Sequence, residues 1–141
     1  MRRLLSASLA FLAVLFVVAQ IVPYRVHNPP TTQGPTWDSP RTEALARRAC
    51  FDCHSNESVV PWYGYIAPVA WLVRYHVDEA RGAMNLSEMD LPQEEAHEAG
   101  EEVEEGHMPP GYYLTLHPGA RLTEEERSAL AAGLDATLGG E

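Results

Sequence analysis

The chain has 141 residues, with ten basic against twenty acidic side chains and a net charge of −10 at pH 7; every basic residue is Arg. That balance excludes a nucleic-acid interface, since phosphate contacts need a basic face, and the length excludes a two-domain enzyme. The two cysteines, Cys50 and Cys53, are too few and too close together for a disulfide framework.

Residues 1–22 read as a membrane or export signal. Arg2 and Arg3 precede Leu4 to Val22, in which only Ser6, Ser8 and Gln20 are polar. A spanning helix needs about 20 apolar residues, and the Arg flank leaves the N-terminus in the cytoplasm. The domain is then expected on the periplasmic side of an inner membrane, anchored by a single transmembrane helix. A cleaved signal peptide is the rival reading, with Val17-Val18-Ala19 as its site, but the apolar run continues past it. Residues 23–40 hold five prolines and read as an extended, semi-rigid linker.

Residues 41–141 then read as one all-α domain. A first helix is predicted with Ser39 as N-cap, Pro40 at the first helical position and Glu43 in the first turn, running into the cysteines. A second is predicted from Pro68 to about Arg81, ending at Gly82, with Trp71, Leu72, Tyr75 and His76 at helical spacing. A third, mostly charged helix is predicted from Pro92 to about Glu105. The last starts at Thr123, whose Thr-Glu-Glu-Glu sequence is a capping box, and carries the stripe Leu130, Leu134, Leu138.

Cys50-Phe51-Asp52-Cys53-His54 carries the chemistry. C-x-x-C-H is the attachment signature of c-type haem. Two thiols three positions apart can each add to one porphyrin vinyl group, and the adjacent His54 supplies an imidazole nitrogen to the iron. A thioredoxin-like redox pair would want a βαβ context, and a zinc site would need further ligands at matching spacing. Export agrees with haem, because c-type attachment takes place outside the cytoplasm. For the opposite axial position Met108 is the first choice. It follows Gly106 and precedes Pro109-Pro110-Gly111, so the prolines stiffen the segment that presents it. His76, His107 and an open site are the alternatives. Met/His ligation raises the reduction potential.

The residues beyond the motif continue in a recognisable order. Ser55-Asn56 is followed by Pro61-Trp62-Tyr63, Pro68 with Trp71, Asn85-Leu86-Ser87, Met108-Pro109-Pro110, Tyr113, and His117-Pro118 before Leu122-Thr123. Over about residues 20–135 this resembles the bacterial haem-binding domain family, small membrane-anchored monohaem proteins akin to c-type cytochromes. The resemblance implies Cys50 and Cys53 as attachment sites, His54 as proximal ligand and Met108 as distal ligand. The chain departs from the family pattern at Arg81-Gly82, the reverse of the usual Gly-Arg, and at Leu86, where the family has Phe.

Trp62, Tyr63 and Trp71 are expected to line the haem, with Tyr65 close by, since aromatic faces exclude water from a porphyrin. The seven glutamates between Glu94 and Glu105 read as a solvated helix face, with docking of a basic redox partner as the sharper alternative. The expected whole is a small cytochrome c-like helical domain around one covalent haem c. It would be an electron carrier rather than an enzyme, its partners being haem, a redox protein and the membrane. A haem-based gas or redox sensor, a small peroxidase, and a haem-bearing accessory subunit of a membrane complex are the alternatives.

Overall fold

The computed structural model describes residues 2–139, with side chains from Leu4 onward. Met1 and the side chains of Arg2 and Arg3, on which the expected orientation rests, lie outside the described residues. Among the described residues every regular element is a helix: α1 (Arg2–Ala19), α2 (Pro40–Ala49), α3 (Phe51–His54), α4 (Val69–Ala83), α5 (Ala99–Glu104), α6 (Gly111–Leu116) and α7 (Glu124–Leu138). Short 3-10 turns cover Trp62–Tyr65, Ala96–Glu98 and Pro118–Ala120. Extended pairing among these residues is confined to one isolated bridge between Gln33 and Glu88.

The capping signals act as the sequence predicts. The Ser39 hydroxyl accepts from the Thr42 amide at 3.2 Å, and Pro40 opens α2. Thr123 accepts from the Glu126 amide while the Glu126 carboxylate accepts from the Thr123 amide, closing the capping box of α7. α4 runs through Gly82 to Ala83, one turn position beyond the predicted end. The third predicted helix is shorter than expected. Residues 92–95 form no α-helix, and regular α-helix starts only at Ala99. α6 starts directly behind the breakers Pro109 and Pro110, where no helix is predicted.

α7 is the centre of the domain. Leu130 and Leu134 are buried with Leu45, Ala46, Phe51, Met84, Leu86 and Val103, while Leu138 packs at the edge. Two glycines allow the close approach of helices to α7. A Cβ on Gly133 would collide with Thr42 of α2, and one on Gly100 of α5 would meet the Asp135 carboxylate and the Ala131 carbonyl.

Among the described residues no helix is long and apolar enough to cross a membrane. The helix expected over residues 1–22 is shorter in the structure. α1 stops at Ala19, and at 1.5 Å per residue its 18 residues rise about 27 Å, short of the roughly 30 Å hydrocarbon layer. Pro23 cannot continue a helix, and Gln20 leaves the helix to pair with another segment. Its side-chain carbonyl accepts from the Ala67 amide at 3.0 Å, and its amide donates to the Ala67 carbonyl at 3.2 Å. From there residues 20–33 lie extended against the domain rather than standing clear of it. Arg74 donates to the Arg25 carbonyl, and Arg81 donates to the His27 carbonyl and the Asn28 side chain. The amides of Thr32 and Gln33 donate to the Ser87 carbonyl.

Candidate functional site

The short helix α3 follows α2 almost without a break. Cys50 closes α2 by donating its amide to the Ala46 carbonyl, and its own carbonyl accepts from the amides of Cys53 and His54. This tight turn brings Cys50, Cys53 and His54 onto one cavity of about 390 Å³, within the range of small-molecule and cofactor pockets. Both cysteines are free thiols. Burial pushes Cys50 up to about 12 and Cys53 up to about 11.

His54 is the most constrained of the three. Its Nδ1 lies 3.1 Å from the Met84 carbonyl. A carbonyl can only accept, so Nδ1 carries the proton and Nε2 keeps its lone pair, the arrangement that orients a metal-ligating imidazole. Burial lowers the His54 pKa, against the raising effect of the Met84 carbonyl, and so favours the neutral ring.

A polar lock behind His54 holds it in place. The Leu86 amide donates to the His54 carbonyl at 2.8 Å. The Asn85 side chain donates to Asn56, the Asn56 amide donates to the Ser87 hydroxyl, and Arg81 donates to the Ser55 carbonyl. Ser55, Asn56, Asn85, Leu86 and Ser87 are all buried. Ser55-Asn56 and Asn85-Leu86-Ser87 are therefore two halves of one clamp. Leu86 is a core residue and is not part of the cavity wall.

Met108 reaches the same cavity from the loop between α5 and α6, and is 36% exposed. The loop turns at Gly106, whose φ of +79° needs glycine. The Met108 amide then donates to the Glu102 carbonyl at 3.0 Å, fixing where its side chain starts. His76 also lines the cavity, with its ring 5.3 Å from that of Tyr112. His107 is absent from the lining and pairs with Glu102 and Glu105.

The expected aromatic wall is only partly assembled. Tyr63 lines a smaller, apolar cavity of about 190 Å³, which shares Cys53, His76, Pro110, Tyr112 and Tyr113 with the larger one. Trp62 is 76% exposed and lines neither cavity. Consecutive residues of a 3-10 turn point about 120° apart, so Trp62 and Tyr63 cannot share a wall. Trp71 also lines neither, and its indole N–H is buried with no partner among the described residues. It lies about half a turn from His76 and Val73, the cavity side of α4.

Three features escape sequence reasoning. Tyr113 lines both cavities, and its hydroxyl donates to Asp52 of the motif at 2.8 Å. His117 stacks on Tyr113, with ring centroids 3.9 Å apart, donates from Nδ1 to the Tyr113 carbonyl and accepts from the Tyr63 hydroxyl. Tyr63, Tyr113 and His117 belong to the order that carries the resemblance, but the one sequence signal that they meet is the i, i+4 spacing of Tyr113 and His117. Glu95, Glu98 and Glu102 line the larger cavity, so the acidic stretch is not wholly a solvent face.

A family model described as the haem-binding domain matches residues 14–136 of the chain. The chain belongs to the haem-binding domain family. Comparison with curated proteins and with solved structures returned no match. The residues of this haem-binding domain fit the group that its family binds. The main cavity presents an oriented neutral imidazole, a thioether and two thiols, with apolar Ala49, Ala83, Val103 and Leu134 between them. Imidazole and thioether are established haem-iron ligands.

Proposed function

We propose that the protein is a c-type haem protein that carries one electron at a time. Covalent attachment would use Cys50 and Cys53, with His54 and Met108 as axial ligands to a single haem. The observation that carries this reading is that all four side chains meet on one cavity while the His54 tautomer is already fixed by Met84. Bound there, haem supplies an iron couple that gains and loses one electron. The chain's own part is to hold. The clamp around His54 and the Glu102 anchor of Met108 keep both donors in place whichever charge the iron carries, and the apolar wall limits water. Tyr113, joined to Asp52, ties the segment that presents Met108 to the motif itself.

We also infer that the protein is attached to the inner membrane by its N-terminal segment and works on the periplasmic side. The support is the apolar run Leu4–Val22, whose large side chains from Leu4 to Val18 all lie exposed along α1, and the Arg2-Arg3 flank before it, the order of an export signal.

The test is an absorption spectrum of the protein produced together with haem-maturation machinery, repeated on Met108→Ala. The expected result is haem that stays with the denatured chain, and an oxidised form with a sulfur-to-iron near-infrared band that disappears in the variant. Haem that extracts into acidic organic solvent would overturn covalent attachment. An oxidised wild type without the band, whose reduced form binds carbon monoxide readily, would replace electron transfer with sensing or peroxidase chemistry. A low-spin spectrum without the band would move the distal position to His76.

A further inference from the structure

The distribution of charge along the chain is strongly uneven. All twenty acidic residues fall in two stretches, 38–57 and 78–141; residues 1–37 and 58–77 contain none. The fold brings the two acid-free stretches together. Gln20, at the end of α1, pairs with both backbone groups of Ala67, and Arg74 donates to the Arg25 carbonyl. α1 therefore leaves the domain beside the start of α4.

The same place carries a row of exposed apolar side chains. Trp62, Tyr65, Ile66, Val69, Leu72 and Tyr75 are all exposed, and from Ile66 onward they recur every three residues. Arg74 is the only charged residue between Glu57 and Asp78, apart from His76 if it is protonated. Further along, α4 carries Asp78 and Glu79, and Glu79 lines the main cavity. The helix thus has an acid-free half beside α1, which borders the smaller cavity at Val69 and Leu72, and a half with Asp78 and Glu79 that reaches the larger cavity.

The geometry points to a lipid-contacting face: Trp62, Tyr65, Ile66, Val69 and Leu72 rest in the headgroup layer of the membrane to which α1 attaches the protein. The inference rests on the membrane attachment proposed above. Trp and Tyr suit the boundary between headgroups and acyl chains. An anionic bilayer surface repels the acidic remainder of the molecule and leaves this face as the one that can approach. Gln20 holds the end of α1 at Ala67, between Ile66 and Val69, so the apolar run of α1 ends beside this face. The acidic side of the main cavity, lined by Glu95, Glu98 and Glu102, is then left for a protein partner.

The experiment places a photoreactive residue in the full-length haem-loaded chain, as Trp62→benzoylphenylalanine, Leu72→benzoylphenylalanine or, on α7, Glu125→benzoylphenylalanine. Each variant is mixed with vesicles of phosphatidylcholine and phosphatidylglycerol, floated on a density gradient, irradiated and analysed by mass spectrometry. Lipid adducts at positions 62 and 72, with none above background at 125, are the expected result. Flotation without lipid adducts at 62 and 72 would overturn the face while leaving attachment standing. Protein–protein adducts there in place of lipid would overturn it in favour of a protein interface. Chains that fail to float would overturn attachment, and this inference with it.

Discussion

Tyr113 and Asp52 are 61 positions apart in the chain, yet the phenol of one donates to the carboxylate of the other at 2.8 Å. Asp52 is one of the two variable residues of the C-x-x-C-H motif, and Tyr113 is in the helix that follows Met108. The bond therefore joins the two segments that supply the proposed iron ligands. The Val59 amide donates to the other oxygen of the same carboxylate, so Asp52 also fixes the loop after the motif.

Removing the phenol should loosen both segments together. Tyr113→Phe is expected to lower stability by about 1.5–3 kcal/mol, the range for a hydrogen bond to a charged group, read by guanidinium unfolding of the haem-loaded protein. It should also let added imidazole displace Met108 at lower concentration than in the wild type. Equal imidazole titrations in the two proteins would show that the bond does not restrain the Met108 segment.

Asn56 tests the clamp behind His54. It accepts from Asn85 and donates to Glu88 and to the Pro30 carbonyl. Asn56→Ala leaves the Asn85 amide without its acceptor in a buried site, at a cost of about 1–3 kcal/mol. A fall in thermal midpoint is expected, with the haem spectrum retained below it, because His54 keeps its bond to Met84. An unchanged midpoint would mean that water replaces the lost side chain.

Glu98 and Glu102 tune charge at the cavity. A carboxylate near iron favours the more positive ferric state, so Glu98→Gln and Glu102→Gln should each raise the reduction potential. If each charge contributes on the order of 1 kcal/mol, the shift is tens of millivolts, since about 59 mV corresponds to 1.4 kcal/mol for one electron. Redox titration at low and moderate salt checks this, with a smaller shift at higher salt. A lowered potential in either variant would refute the assignment.

The acid limb of stability should depend on Glu126. A hydrogen bond from Arg48, then one from the Thr123 amide, holds its carboxyl down at about 2, against about 4.3 in an unfolded chain. The folded value lies below the unfolded one, so the contribution is present above the unfolded pKa and is lost as pH falls through the folded value. Between those two values wild type should lose stability with falling pH faster than Glu126→Gln. Thermal melts over that interval read the difference, and parallel curves would remove Glu126 from the account.

The legible parts of the fold were those set by local chemistry. Ser39-Pro40 and Thr123 to Glu126 are caps that work within one turn, and Leu130 and Leu134 form a stripe that only a helix produces. Cys50, Cys53, His54 and Met108 were equally readable, and all four reach the main cavity. The aromatic wall was not, because Trp62 and Trp71 depend on which way their helices face, and no local pattern records that. The Tyr113–Asp52 bond and the pairing of Gln20 with Ala67 join residues tens of positions apart, and single-residue signals do not reach so far. The glutamates at the cavity illustrate the same limit, since a charge run looks alike whether it faces water or a pocket.

Arg81 grips the Ser55 carbonyl with one nitrogen and the His27 carbonyl and Asn28 side chain with its others. One side chain therefore holds both the loop after the motif and the proline-rich segment. Left free, a segment of that length would wander as a leash, with an average span that grows as the square root of its length, and the cofactor would sweep a volume around its point of origin. Fastened along α4, it sweeps none. The interval between the end of α1 and His54 is then a fixed dimension of the molecule.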